Sequence, residues 1–369
     1  MGGKEKALFQ FISRSDPGRL SFAICCLKRG GYFRDKLRER GVPFYEGLLR
    51  HRFDAFAFAA LRRILRKERT DLIYTFSHPN TVIFASLARQ LGLVRRVVVS
   101  YHAMGDTGGT RQVVPFLLPM LRRADALLAV AEIQKDYLVR VEGLPRERIR
   151  VVHNGVDTDR YRRPSADERA ATRREFGFDE GAVVLVTVAT LKALKRIDSL
   201  IGVAAGLRRE GHAVQVLVVG EGPERGSLEA LASRLGVSDH VVFAGMRDDV
   251  ERVLRAADVF VLCSRTEAFP NVVLEAMATG LPVVATDVGS VREMVDAGES
   301  ALVVDPNDDT ALHAAVRDLV LNPARREAFG MRGRRIVEER FKLDSMFAKR
   351  AALIEELLAG TDSGGNRSQ

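Results

Sequence analysis

An α/β fold built on parallel sheets is predicted by three observations. Short apolar runs recur along the chain, amphipathic helical patterns separate them, and turn residues punctuate the joins. The apolar runs are continuous in Val, Leu and Ile, as strands are when helices cover both faces of a sheet. The first element is a helical pattern through Ala7, Leu8, Phe11 and Ile12. Strands are then expected near Ser21–Leu27, Val42–Tyr45, Leu72–Thr75, Val97–Tyr101, Ala126–Val130 and Arg150–His153. Helices such as Ala55–Lys67 and Thr81–Leu91 lie between them. The second half repeats the grammar, with strands near Val183–Ala189, Gln215–Gly220, Val241–Ala244, Val259–Leu262, Pro282–Thr286 and Ala301–Val304.

Two such halves suggest two Rossmann-like domains facing each other across a cleft, with ligands beyond the C-terminal strand ends. A chain of 369 residues accommodates both. The boundary is placed at His153-Asn154-Gly155-Val156-Asp157, giving domains over 1–157 and 158–342. Gly155 would allow a positive φ at the crossover. The stretch 157–179 is polar and Arg-rich and reads as linker plus a short helix. A long helical pattern over Arg332–Leu358 closes the folded part, and the Gly/Ser/Asn-rich tail 360–369 is expected to be disordered.

Composition narrows the function classes. An apolar fraction of 46% describes a globular chain with a sizeable core. No apolar run approaches the roughly 20 residues that span a bilayer. The start, Met1 to Lys6, lacks the apolar core of a secretory signal. Three cysteines, two of them adjacent, make neither a disulfide framework nor a metal-ligand spacing. They read as small buried apolar residues in a reducing cytoplasm. The net charge of +9 is uneven. Residues 1–153 hold 28 Lys and Arg against 14 Asp and Glu, a surplus of +14, and the remainder holds 29 against 34, or -5. A basic N-terminal half suits an anionic membrane surface, a lipid-phosphate acceptor or nucleic acid, or is simply a solvated Arg-rich face. Nucleic acid is the weakest of these, since Arg62, Arg63, Arg66, Lys67 and Arg69 are not interleaved with aromatics. The chain has no Gly-x4-Gly-Lys-Ser/Thr phosphate loop and no Gly-x-Ser-x-Gly elbow.

The most informative segment is the run from Cys263 to Ala285. A strand enters a loop bearing Glu267, a helix bearing Glu275 follows, and a Gly280-Leu281-Pro282 turn leads to the next strand. Two carboxylates so spaced at a strand end can face one pocket and accept hydrogen bonds from a polyhydroxylated ligand. Backbone N–H groups of the segment Phe269 to Val273, Pro270 excepted, lie at a helix N-terminus, a natural anion site. The segment resembles the Glu-x7-Glu motif of retaining GT-B glycosyltransferases of family 4.

That resemblance extends from Gly2 to the last helix and implies roles. Glu275 matches the ribose-binding Glu, and Glu267 the Glu that contacts the transferred sugar. Phe269, Pro270, Asn271 and Val272 match the donor-binding turn, although Ala268 stands where the family often has Gly. The run Thr187 to Asp198 resembles the phosphate-binding segment. There Lys195 matches the Lys of the leaving-group clamp, Thr190 takes the usual Arg place, and Lys192 resembles the Arg of a variant arrangement. The base is expected near Gly245, Met246 and Arg247. His102 matches an active-site His near the reacting centre, and His78 is expected on the acceptor side. Gly2 and Gly3 match a Gly-rich loop that approaches the diphosphate. His153 is expected to be part of the hinge. The last helix, about 343–359, is expected to pack back on the N-terminal domain.

The resemblance thus implies a retaining, metal-independent glycosyltransferase with no cofactor. It would move a sugar from a nucleotide-sugar, a UDP-sugar in preference to GDP-mannose, to a glycan or a lipid-linked or phosphorylated acceptor. Cell-envelope polysaccharide, lipopolysaccharide or glycolipid synthesis would be the setting, in the cytoplasm or at the cytoplasmic membrane face. Asp157-Thr158-Asp159 superficially fits an Asp-x-Asp metal motif, but lies in the interdomain signature and not after a nucleotide-binding strand. The competing readings are a nucleotide-sugar 2-epimerase on the same scaffold and a non-catalytic nucleotide-sugar-binding partner. The family's opening strand is expected to be missing, the chain starting at an internal Met and lacking roughly ten to fifteen residues. The alternative is a variant sheet built without that strand.

Overall fold

The computed structural model describes residues 3–28, 33–49, 54–102, 104 and 111–360. Gly2 and most of the predicted disordered tail, 361–369, lie outside the described residues. Among the described residues twelve strands follow in chain order: β1 (Ile24–Cys26), β2 (Phe44–Glu46), β3 (Leu72–Phe76), β4 (Arg96–Ser100), β5 (Ala126–Ala129), β6 (Ile149–Val151), β7 (Val183–Val188), β8 (Val214–Val219), β9 (Val241–Gly245), β10 (Val259–Leu262), β11 (Val283–Thr286) and β12 (Ala301–Val304). Among the described residues every ladder between them is parallel. They form a two-stranded sheet β1-β2, a four-stranded sheet β3-β4-β5-β6, and a six-stranded sheet in the order β12-β11-β10-β7-β8-β9.

The continuous apolar runs are explained by burial on both faces of the large sheet. Val184, Val186, Phe260 and Leu262 face one side, packing with Val273, Met277 and Val337. Their neighbours Leu185, Val259 and Val261 face the other, packing with Leu200, Ile201 and Val316. This is the two-residue alternation of a strand with apolar residues in both phases. The short sheet behaves differently. Cys25 is exposed and Cys26 half-buried, so only Cys263 meets the expectation of a buried thiol. Alternation along β1 turns Cys25 to the side opposite its neighbours.

The helical pattern expected over Arg332–Leu358 is two helices, Pro323–Arg340 and Leu343–Ala359. The break serves a crossing. The Val156 N–H donates to Phe341 O at 2.9 Å and the Leu343 N–H donates to Val156 O at 3.0 Å. Two chain segments therefore run side by side here. Gly155 is required by that approach and not by its φ, which is not positive. A Cβ there would lie 2.8 Å from Leu343 Cα and 2.8 Å from Lys342 O. Beyond the break, Leu343, Met346, Phe347, Leu353 and Ile354 pack with Val98, Ala126 and Leu128 of the four-stranded sheet. Arg14 ties the opening helix Gly3–Arg14 to Asp157 and Asp344, each at 2.7 Å. Gly3, expected in a Gly-rich loop, is already helical.

Candidate functional site

The six-stranded order changes direction between β7 and β10, which lie side by side. The chain leaves β7 toward β8 on one side and leaves β10 toward β11 on the other. Two loops therefore diverge from adjacent C-terminal strand ends and open a crevice, where open α/β sheets take ligands. The loop after β7 carries Lys195, and the loop after β10 carries Glu267.

These two side chains meet. Lys195 Nζ donates to Glu267 Oε1 at 2.5 Å, and Ser264 Oγ donates to the same oxygen at 2.8 Å. The backbones are joined too, the Arg265 N–H donating to Leu194 O at 2.8 Å. Both groups are largely buried, with side-chain exposures of 22% and 17%. Glu267 Oε2 and two of the three Lys195 N–H bonds have no partner among the described residues. The pair is thus held in place with hydrogen-bonding capacity of both signs left over.

The turn that presents Lys195 depends on its neighbour. Arg196 adopts a left-handed φ of 48°, uncommon outside glycine. Its guanidinium donates to both oxygens of Asp309, at 2.7 and 2.8 Å, and to Pro306 O. Arg196 is therefore a buttress. Lys192 and Thr190 are exposed on the same loop, and Lys192 has no ion-pair partner among the described residues.

Glu275 sits half-buried in the helix Asn271–Ala278 and is hydrogen-bonded by the Tyr161 hydroxyl. The N-terminus of that helix, at Pro270, has no side-chain cap. Asn271 Oδ1 accepts from Asn154 Nδ2 at 3.0 Å, which links the turn to the hinge. Phe269 is buried, so only its backbone can face a ligand. At the edge of the six-stranded sheet Gly245 ends β9 with φ 68°, and Met246 is 73% exposed beside it. Arg247 is tied to Asp249 by two bonds of 2.7 Å.

On the N-terminal side, His78 and His102 follow the adjacent strands β3 and β4. Ser100 Oγ and His102 Nε2 are 2.9 Å apart, and the His102 ring meets Phe76 edge-on at 5.3 Å. His78 is exposed at the N-cap of the helix Pro79–Gln90. Ser100 and Phe76 end β4 and β3, so these two contacts lie within the four-stranded sheet. Asp157 pairs with Arg14 and accepts from the backbone N–H groups of Asp159 and Arg160.

Sequence reasoning missed Glu293, which joins the two halves. It lies on the short helix Val291–Met294 after β11. Its carboxylate accepts from the backbone N–H of Glu132 at 2.9 Å and of Ile133 at 2.8 Å, and lies 3.0 Å from His153 Nε2. It caps the helix Glu132–Arg140, which has no cap of its own. Burial alone would raise its pKa, but the His153 and backbone hydrogen bonds outweigh that and hold it below the usual carboxylate range. His153 also packs on Phe269 and Phe341, so the residue expected at the hinge reaches the turn beside Glu267. No local pattern marked Glu293, a lone acid on a one-turn helix.

The loop before Glu293 supports the donor loop. The Ser290 N–H donates to Ala268 O at 3.2 Å. Gly289 has φ 52°, and a Cβ there would lie 2.2 Å from Glu267 O. Gly289→Ala is expected to destabilise the fold by about 1–3 kcal/mol, through overpacking and a disfavoured φ. Thermal unfolding of the variant measures this. An unchanged melting temperature would show that the Glu267 backbone moves away without cost.

Comparison with known proteins agrees with this architecture. The family model described as Glycosyl transferases group 1 matches residues 168–336, and Glycosyltransferase Family 4 matches residues 8–160. A GDP-mannose-dependent alpha-(1-6)-phosphatidylinositol monomannoside mannosyltransferase from Mycolicibacterium smegmatis is 32% identical over 314 residues, covering 81% of this chain and 79% of that protein. Among solved structures, a glycosyltransferase from Rickettsia africae superposes with a TM-score of 0.85 at 17% identity, over 98% of this chain and 96% of the other. Anabaena HepE, solved with UDP and glucose, gives 0.83 at 21% identity, over 96% of each chain. With its parallel sheets and a curated relative aligned along four-fifths of its length, this chain is a GT-B glycosyltransferase and belongs to group 1, family 4.

Proposed function

We propose that the protein transfers a sugar, with retention of configuration and without a metal ion, from a nucleotide-sugar to a lipid-linked or phosphorylated glycan acceptor of the cell envelope. The observation that carries this reading is the Lys195–Glu267 pair at the switch point between β7 and β10. A leaving diphosphate needs positive charge, and Lys195 has two N–H bonds to offer. A donor sugar needs hydroxyl acceptors, and Glu267 has Oε2. Lys192 would add charge from the same loop, and the uncapped helix N-terminus after Pro270 would add the backbone N–H groups of Asn271 and Val272. Glu275 would take the ribose, and Gly245 to Arg247 would lie against the base. His102 would approach the reacting carbon from the other domain, with His78 toward the acceptor. The acceptor hydroxyl would attack on the face from which the phosphate departs, and a leaving phosphate oxygen would take its proton.

UDP-sugars and GDP-mannose are both candidate donors. The 32% identical relative is by its name GDP-mannose-dependent, whereas UDP and glucose are bound in a structure at 21% identity. For the acceptor, the outer face of the helix Ala55–Lys67 supports a membrane location. Arg62, Arg63, Arg66, Lys67 and the adjoining Arg69 are exposed there, and Phe56 is 80% exposed at its start. Clustered cations with an apolar anchor suit an anionic bilayer. No helix among the described residues is long and apolar enough to cross a membrane.

The test is release of nucleotide from UDP-, GDP- and ADP-sugars, with and without vesicles of anionic lipid extract. Turnover of one donor, raised by the vesicles, is expected. Equal turnover with and without lipid would remove the membrane acceptor from the reading. Absence of turnover with every donor would overturn it.

A further inference from the structure

We propose that Tyr161 is a positioning residue for the nucleotide, its hydroxyl holding the Glu275 carboxylate in the orientation that receives the ribose. The inference rests on the reading of Glu275 as the ribose partner. No motif pointed to Tyr161, which lies in the linker after the domain boundary. Its ring is 3% exposed and belongs to the apolar core that includes Val273, Leu274 and Met277 of the Glu275 helix. The hydroxyl reaches Glu275 out of that core. Burial, and then the charge of Glu275, push the phenol well above its usual range, so it stays a neutral donor.

The geometry is fixed from both ends. The Tyr161 N–H donates to Asp157 O at 2.9 Å. Arg334 Nη1 donates to Tyr161 O at 2.8 Å and also to Ala278 O, the last residue of the Glu275 helix. Arg334 Nη2 reaches Thr158 O at 3.2 Å. One guanidinium thus ties the linker backbone to the helix, and Tyr161 and Glu275 share a rigid frame. Arg160 is the nearby cation, but its guanidinium is engaged by Glu251 at 2.8 Å and Asp248 O at 3.0 Å.

The physical consequence is preorganisation. A glutamate has three side-chain torsions, and ordering them opposes binding unless the protein has ordered them first. A hydrogen bond to one carboxylate oxygen restricts the rotamers and leaves acceptor capacity for ribose hydroxyls. Phenylalanine would fill the same apolar space and lack only the hydroxyl, so Tyr161→Phe isolates this contribution.

The experiment is calorimetric binding of UDP and GDP, and of their 2′,3′-dideoxy analogues, to the full chain and to Tyr161→Phe, Glu275→Ala and the double variant. Tyr161→Phe is expected to weaken binding of the better nucleotide by roughly 5–10-fold, the range of one hydrogen bond. It should leave binding of the dideoxy analogue unchanged and add nothing to Glu275→Ala. Unchanged affinity in Tyr161→Phe beside a weakened Glu275→Ala would overturn the inference and leave the ribose reading standing. Equal losses for the natural and dideoxy nucleotides would also overturn it, because the hydroxyl would then act through the fold. Undiminished binding by Glu275→Ala, or no binding of either nucleotide, would remove the ribose reading and the inference with it.

Discussion

Lys195→Ala should lower kcat for donor turnover by about 10²–10³-fold, the loss typical of deleting one preorganised charge stabiliser. Lys195 is a half-buried cation at the β7–β10 crevice, already aimed by its bond to Glu267. Negative charge on the leaving diphosphate grows as the glycosidic bond breaks, so the effect falls more on kcat than on ground-state affinity. The deletion also leaves Glu267 with Ser264 as its one donor among the described residues, loosening the group proposed to orient the sugar. Lys195→Arg keeps the charge but replaces a compact ammonium with a planar fork, and should recover only part of the rate. Steady-state nucleotide release, with thermal unfolding as the control for folding, measures all three proteins. A folded Lys195→Ala protein with unchanged kcat would remove Lys195 from leaving-group stabilisation.

Glu293→Ala should cost about 2–3 kcal/mol of stability at neutral pH, on the scale of hydrogen bonds to a charged group. It uncaps the helix Glu132–Arg140 and leaves His153 without its carboxylate. Because these contacts join the two halves, nucleotide release should slow as well. The pH dependence has a defined sign. The folded pKa of Glu293 lies below the ordinary value of 4.5, so its contribution is fully present above that value. It is lost as pH falls through the lowered folded pKa. The gap in melting temperature between Glu293→Ala and the unaltered protein should therefore hold at higher pH and close below about 4.5. A gap that persists at the lowest pH would mean that packing, and not the carboxylate charge, carries the contact.

Much of this was legible in the chain. The α/β class, the strands of the second half and the pairing of Glu267 with Glu275 in one strand–loop–helix unit follow from local patterns of apolar and turn residues. Those patterns act over a few residues, through backbone sterics and side-chain alternation. The boundaries of Ala55–Lys67, Val259–Leu262 and Ala301–Val304 needed no revision. Other features were not legible. The helix break at Phe341–Lys342 answers a bond made with Val156, far back in the chain. Gly155 is needed because another segment passes within contact distance, whereas its own φ would tolerate other residues.

By itself the sequence determined the parallel α/β class, the basic first half and the residue types available to a nucleotide-sugar chemistry. Tertiary structure alone decided that β10 lies beside β7, and so that Lys195 and Glu267 meet across 72 positions of chain. It also decided that Glu293 caps a helix 161 positions away and that Tyr161 reaches Glu275. The physical reason is the same in each case. Local propensity fixes where a strand or helix begins, but the partner of a charged side chain is set by strand order and by which loops diverge at a sheet's switch point.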